Sequence, residues 1–538
     1  MNPPATRRPG RIRFDSVFQA SLIVFTLLLA TKLLNFLKKI LIGQLFGVSR
    51  TADAFFAASF LPYYLAIFFE GVLFLGFLPL YAQLKAEKGE EAARQFVLEI
   101  LLLILVVTTG MVALAWWGTP WIVRELVPGF RPETRGLTQS LFQILSIVLL
   151  FITLTSFFKA LNSYFEHYAV AASSGFVDTV VMIAITLLSW KLWGIYGAAW
   201  GSVAGVLAAF LVQAVFLFKK QEIFPARWVF RSAWLGKLAL FLPPMAVIWV
   251  FQQTPTVILN RFGSGMWEGT ISALAIAHTL TIVPMGLVSH TVLFAVFPSL
   301  ARQTHETTPE NLRETFFQTL RGGFLILIPA GFLLTALAPP LAGLFFDGGG
   351  IAEEGTQRIA DSLACFGWAT FVLYADHFMT QSLIAARRPL PAILLTASRA
   401  VLTYVIGYFF SALWDYQGLA FSFSLALAVN FFLLFPPLFK LSPYVGGWTA
   451  LFRYTAKLLA ASAPILLMGG FLSRRPIGEW MEFSEAPLIF FLGLAFAGGA
   501  SLYVLLLYLL GVREIRPVFQ ELKSRWGRKD WWLAEPTE

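Results

Sequence analysis

Cysteine, histidine and charge are scarce in this 538-residue chain, and each shortage removes a class of function. A single cysteine, Cys365, excludes disulfides within the chain and any cysteine-based metal cluster. The five histidines are scattered, with no HExxH or comparable spacing. No GxxxxGK[ST] phosphate loop occurs, so any work must draw on an ion gradient, a potential or the substrate's own gradient. Charged residues make up 13%, where soluble domains carry roughly 25%. A solvated basic domain is missing, so the net charge of +10 calls for no nucleic-acid partner. Short alternating segments of a membrane β-barrel are missing as well.

What fills the chain is apolar: 58% hydrophobic residues and a mean hydropathy of +0.72. Repeated runs of about twenty residues are long enough to cross a bilayer as helices. The expected fold is an all-α polytopic membrane protein with about fourteen transmembrane helices, or thirteen and one re-entrant segment. The first basic and apolar stretch is too long for a signal peptide and lacks a cleavage site, so it reads as a retained first span. Basic clusters at Arg7–Arg13, Lys85/Lys88/Arg94, Lys219/Lys220/Arg227/Arg231, Arg302/Arg313/Arg321, Arg387/Arg388, Lys440/Arg453/Lys457 and Arg513–Lys529 follow even-numbered spans or precede the first. Arg124, Arg131, Arg135, Arg474 and Arg475 run against this trend. The positive-inside rule then places both termini in the cytoplasm.

An internal repeat organises these spans. VLFLGFLPLYA at 72–82 resembles VLFAVFPSLA at 292–301, with Val72, Leu73, Phe74 and Phe77 falling on Val292, Leu293, Phe294 and Phe297. The offset is six spans, an even number, so the copies run in the same direction. The expected organisation is a basic N-terminus (1–16), a first six-helix lobe (17–220), a linker (221–236), a second lobe in parallel repeat (237–440), two further helices (441–511) and a basic tail (512–538). Repeats in transporters place the binding site at their interface near mid-membrane.

Charge inside the spans is the functional signal. Lys32, Asn35 and Lys39 follow i, i+3, i+7 spacing and share one helical face, with Lys32 and Lys39 about 10 Å apart along the axis. Lys38 and Lys39 near the span's end also suit snorkelling to the interface. Glu70 closes the apolar stretch DAFFAASFLPYYLAIFFEG, where a charge costs about 2.5–3.5 kcal/mol at a helix centre. It therefore needs a basic partner or a wet cavity, and a structural ion pair with a first-span lysine is one reading. Gln253, Thr256 and Asn260 repeat the i, i+3, i+7 pattern on the seventh span. On the eighth, His278, Thr281 and Ser289 lie along one side, and His290 takes the repeat position of Glu70. Histidines in such places are more often packed or interfacial than functional. Together these faces predict a polar, net-basic cavity suited to an anionic head group.

The motifs FGVSRTADAFFAASFLP, FFEG and GFLPLYAQLK resemble the start of the MurJ/MviN family of lipid II flippases, in the multidrug/oligosaccharidyl-lipid/polysaccharide exporter superfamily. PWIVRELVPGF (120–130), KALNSYFEHYAVAA (159–172), VPMGLVSHTVLFAVFPSLARQ (283–303) and TQRIADSLACFGWATFVLYADHFMTQSLIAARRPLP (356–391) extend the resemblance along the chain. It implies fourteen helices, two six-helix lobes around a central cavity, and a lipid-tail groove formed by the last two helices. By the same resemblance the Lys38-Lys39 pair matches a family arginine and the acidic residue after it that help bind diphosphate, Lys32 matches an upstream family arginine, and Asp53 and Glu70 match its acidic residues. The family's second-span arginine pair has no counterpart in PYYLAIFFEG, and the eighth-span arginine falls on Ala277-His278-Thr279. Lysine keeps the charge but loses the bidentate fork.

The resulting expectation is a non-enzymatic flippase that moves a polyprenyl-diphosphate-linked cell-wall precursor to the outer leaflet of the bacterial inner membrane by alternating access. Lys32, Lys38, Lys39, Asn35, Gln253, Asn260 and His278 would bind substrate; Asp53 and Glu70 would balance charge or answer a coupling cation. No cofactor, metal or nucleic acid is expected, the partners being membrane lipid and the lipid-linked saccharide, and a monomer is expected. An exporter of another polyprenyl-linked oligosaccharide, a cation-coupled drug antiporter and a non-transporting scaffold stay open as alternatives.

Overall fold

The computed structural model describes residues 14–220, 234–306, 309–346, 352–386, 388–438, 447–472 and 485–512. The extreme N-terminus, most of the 221–236 linker and the basic tail lie outside the described residues. Every regular element among the described residues is helical. In a bilayer each backbone N–H and C=O must be satisfied within the chain, and a helix does this within one segment. Eleven helices among the described residues are long and apolar enough to cross a membrane, by length and composition. The chain divides into two compact units: residues 1–45 with 54–246, and residues 46–53 with 247–538.

The first unit contains α1 (Phe14–Phe46), α2 (Arg50–Val72), α3 (Leu78–Lys88), α4 (Glu90–Leu126), α5 (Pro132–Tyr164), α6 (Tyr168–Trp193), α7 (Ile195–Lys220) and the start of α8 (Trp234–Gly263), apart from the 46–53 turn. A π-helical turn, Leu73–Phe77, carries α2 into α3. Gly197, Gly201 and Gly205 recur every fourth residue and put a side-chain-free stripe on α7. A Cβ at Gly201 would lie 3.0 Å from the Met182 carbonyl oxygen, so α6 and α7 pack backbone to backbone. Such small-residue spacing is how membrane helices approach closely without a hydrophobic drive. Phe77, Phe96, Phe157 and Phe158 form a fully buried aromatic centre, Phe77 lying 5.5 Å from Phe96 and 5.3 Å from Phe157 between ring centroids. Asn162 of α5 donates to Gln213 Oε1 of α7 at 2.9 Å, and Gln213 donates in turn to the Val170 carbonyl of α6.

The second unit holds the rest of α8, α9 (Thr270–Glu306), α10 (Pro309–Ala336), α11 (Ala338–Phe346), α12 (Glu353–Gly367), α13 (Thr370–Ala385), α14 (Pro389–Val429), α15 (Phe435–Leu438), α16 (Trp448–Leu472) and α17 (Glu485–Leu509). The long α14 is broken at Trp414–Asp415, where Asp415 has φ 51°. Left-handed backbone of this kind ends one helical run and starts another. Tyr374 of α13 lies against Gly323 of α10 and donates to the Thr319 carbonyl at 3.1 Å. Tyr503 of α17 donates to the Leu325 carbonyl of α10 at 2.9 Å, while most of α17 stays outside the packed interior.

A buried ion pair ties three helices of this unit. Arg399 of α14 pairs with Asp376 of α13, their side chains 7% and 3% exposed, and donates a second hydrogen bond to the Gln252 carbonyl of α8 at 2.7 Å. Removing one partner of such a pair strands the other charge; removing both does not. Arg399→Met is therefore expected to destabilise the protein by about 3–5 kcal/mol. The Asp376→Leu/Arg399→Met double variant should regain most of that loss, read as thermal unfolding midpoints in detergent.

Candidate functional site

The three first-span lysines serve different surroundings. Lys32 lies where Glu70 of α2 and Lys159 of α5 both act on it. Lys159 Nζ is 2.8 Å from Glu70 Oε1 and 5.6 Å from the centre of the Phe74 ring. Glu70 thus takes its ion pair from α5, a helix that spacing within the first span does not point to. Two lysines and one carboxylate leave this cluster with one net positive charge. Lys32 makes no ion pair among the described residues.

Further along α1, the Lys38 ammonium sits 5.7 Å from the centre of the Tyr63 ring and acts electrostatically on Asp178 of α6. Lys39 lies 6.0 Å from the Phe56 ring centre. An ammonium over an aromatic face is stabilised by the ring quadrupole, by about 0.5–2 kcal/mol. Asn35 donates to the Thr31 carbonyl of its own helix at 3.0 Å. Lys32 thus lies near Glu70 and Lys38 near Asp178, while Lys39 faces an aromatic ring.

The remaining expected residues belong to the second unit. Asp53 is fully inside: its carboxylate accepts from the Gly269 and Ser272 N–H groups, each at 2.7 Å, at the start of α9. Exposed donors and the helix dipole favour a carboxylate there. Gly269, at φ 87°, lies so close to the 46–53 turn that a Cβ would stand 2.6 Å from the Val48 carbonyl oxygen. Beside it, Arg50 pairs with Glu268, and Arg358 donates to the Glu268 carbonyl at 2.6 Å. Asn260 is buried on α8, and Gln253 is half-buried on the same helix. His278 packs edge-on against Phe366 and Phe423, at 5.5 Å and 5.2 Å between ring centres, so its surroundings are aromatic. The side chain of His290 lies outside the described residues.

Lys159, Asp178, Arg399 and Asp376 were not singled out by spacing, although each is a charge within an otherwise apolar stretch. That signal alone marks an intramembrane residue as worth following. No group of three or more His, Cys, Asp or Glu that could hold a metal occurs among the described residues.

The Glu70–Lys159 pair is part-exposed, with side chains 37% and 29% accessible, so its coupling should be modest. In a double-mutant cycle, Glu70→Gln and Lys159→Gln are expected to couple by about 0.5–1 kcal/mol in unfolding free energy. Asp53→Ala leaves two N–H groups of α9 without their acceptor and should cost about 0.5–2 kcal/mol on the same scale.

The family model described as lipid II flippase MurJ matches residues 42–491, which leaves Lys32, Lys38 and Lys39 just upstream of the matched stretch. The probable lipid II flippase MurJ of Buchnera aphidicola subsp. Schizaphis graminum is 24% identical over 514 residues, covering 93% of this chain and 98% of that protein. The lipid II flippase MurJ of Burkholderia cenocepacia is 23% identical over 516 residues, with the same shares covered. Among solved structures, a lipid II flippase MurJ in an inward closed conformation superposes with TM-score 0.75 at 20% identity, over 93% of this chain and 100% of the other. An inward-facing multidrug resistance MATE family transporter of the MOP superfamily gives TM-score 0.63 at 14% identity, over 76% and 95%. These structural likenesses establish the fold, and the family match over residues 42–491 establishes the lineage: this chain belongs to the MurJ lipid II flippase family.

Proposed function

We propose that the protein moves a polyprenyl-diphosphate-linked saccharide, lipid II or a close chemical relative, from the inner to the outer leaflet of the bacterial cytoplasmic membrane. The observation that carries this reading is a net-positive side-chain cluster on membrane helices of a chain in the MurJ family: Lys32 beside the Glu70–Lys159 pair, with Lys38 and Lys39 further along α1. A diphosphate diester carries two negative charges, and ammonium groups bind it as point charges. The polyprenyl tail stays in lipid along α16 and α17, and the head group crosses while the two lobes alternate access. No covalent bond changes, so the activity is transport without an enzymatic step. Both termini lie in the cytoplasm, and the protein works as a monomer.

A specific observation favours a second reading. The family's eighth-span arginine falls within Ala277-His278-Thr279, where no arginine stands, and His278 there is packed between Phe366 and Phe423. A site built with fewer guanidinium forks suits a different saccharide on the same polyprenyl diphosphate.

Complementation separates these readings. In a bacterium depleted of its own lipid II flippase, the wild-type chain is expected to restore growth. A Lys32/Lys38/Lys39→Gln variant of equal abundance should fail. Failure of the wild type despite correct insertion would point to another polyprenyl-linked substrate. Rescue by both chains would mean that the lysines only snorkel.

A further inference from the structure

Three carboxylates within the membrane helices have found internal partners: Glu70 holds Lys159, Asp376 holds Arg399, and Asp53 takes two backbone N–H groups. Asp178 of α6 is placed differently. Its Oδ1 is buried with no hydrogen-bond partner, and it forms no ion pair among the described residues. Gly205 of α7 sits against that oxygen, so closely that a Cβ there would lie 2.6 Å away. From α1 comes Lys38, the charged group that acts on Asp178; Thr31 of the same helix packs on Gly175, three residues before the carboxylate. From α2 comes Tyr63, with Ser202 of α7 beside it. A carboxylate enclosed in this way, with its one cation at a distance, has two ways to become satisfied: draw that cation closer or take a proton.

We infer that Asp178 is a proton-binding site whose occupancy decides whether Lys38 is available to the substrate's diphosphate. With Asp178 ionised, the Lys38 ammonium is its counter-charge. When Asp178 takes a proton from water onto Oδ1, that demand ends and Lys38 is free for an external anion. Linkage makes the effect reciprocal: an anion that engages Lys38 withdraws the counter-charge and raises the affinity of Asp178 for a proton. Proton and diphosphate therefore bind with positive cooperativity, through a shared lysine. This inference rests on the proposed diphosphate substrate for the role of Lys38, but not for the titration of Asp178.

The test uses the purified full-length protein and a short-chain prenyl-diphospho-N-acetylglucosamine, a diester whose charge is constant over the interval examined. Wild-type affinity is expected to weaken by roughly fivefold or more from about pH 5.5 to about pH 8.5, with proton uptake on binding at the higher pH. Asp178→Asn should bind at both pH values as the wild type binds at the lower one, without proton uptake. Lys38→Gln should bind weakly and independently of pH. An Asp178→Asn variant that keeps the wild-type pH dependence, or a wild type with equal affinity at both values, overturns the inference. Should the probe bind no variant at any pH, the diphosphate reading has failed, and infrared difference spectra of the ligand-free protein decide the proton site. A carboxylic-acid band that disappears on raising the pH and is missing from Asp178→Asn upholds it; no such band overturns it.

Discussion

A charge placed in hydrocarbon has to bring its partner with it. At about 2.5–3.5 kcal/mol for a charged residue at a helix centre, several unsatisfied charges would equal the whole stability of an ordinary domain. In the first unit this constraint draws α5 to α2 through Lys159 and Glu70, residues 89 positions apart in the chain. In the second it draws α8, α13 and α14 together through Arg399, Asp376 and the Gln252 carbonyl. At the 46–53 turn the same demand is met by backbone, with the Asp53 carboxylate on the N–H groups that open α9. The ion pairs, with the Gln252 contact, and this cap tie helices that are far apart in the chain.

Around these points the packing is carried by shape. Between membrane helices there is no hydrophobic drive, since lipid tails are as apolar as leucine, so close van der Waals contact has to serve. The Gly197, Gly201 and Gly205 stripe lets α7 reach the backbone of α6, and Gly323 makes room for the Tyr374 ring. The same closeness governs the polar chemistry of the first unit. Because Gly205 occupies the space beside Asp178, no larger side chain stands between that carboxylate and the helix facing it.

Once internal demands are met, what remains is positive. Lys159 is committed to Glu70, while Lys32 makes no ion pair among the described residues and Lys38 stands over Tyr63 with Asp178 as its distant anion. A surplus of ammonium groups on membrane helices suits the recognition of an anion. Under the proposed function, that anion is a diphosphate carried on a polyprenyl chain. If the lysines bind it, as proposed, they trade the geometric selectivity of a guanidinium fork for a mobile point charge.

Composition and hydropathy were sufficient for the class: runs of about twenty apolar residues leave the backbone no alternative to helix in a bilayer. The motifs around Asp53, Glu70 and Lys159 carried the family, and helical spacing placed Lys32, Asn35 and Lys39 on one face. Partner choice was beyond reach, because spacing along one helix says nothing about which helix lies opposite. Only the tertiary structure assigned Lys159 to Glu70, Arg399 to Asp376 and the Gly269 and Ser272 N–H groups to Asp53, and set His278 among phenylalanine rings. The charges were written in the sequence; their pairing depends on distances of a few ångströms between helices far apart in the chain, which only packing decides.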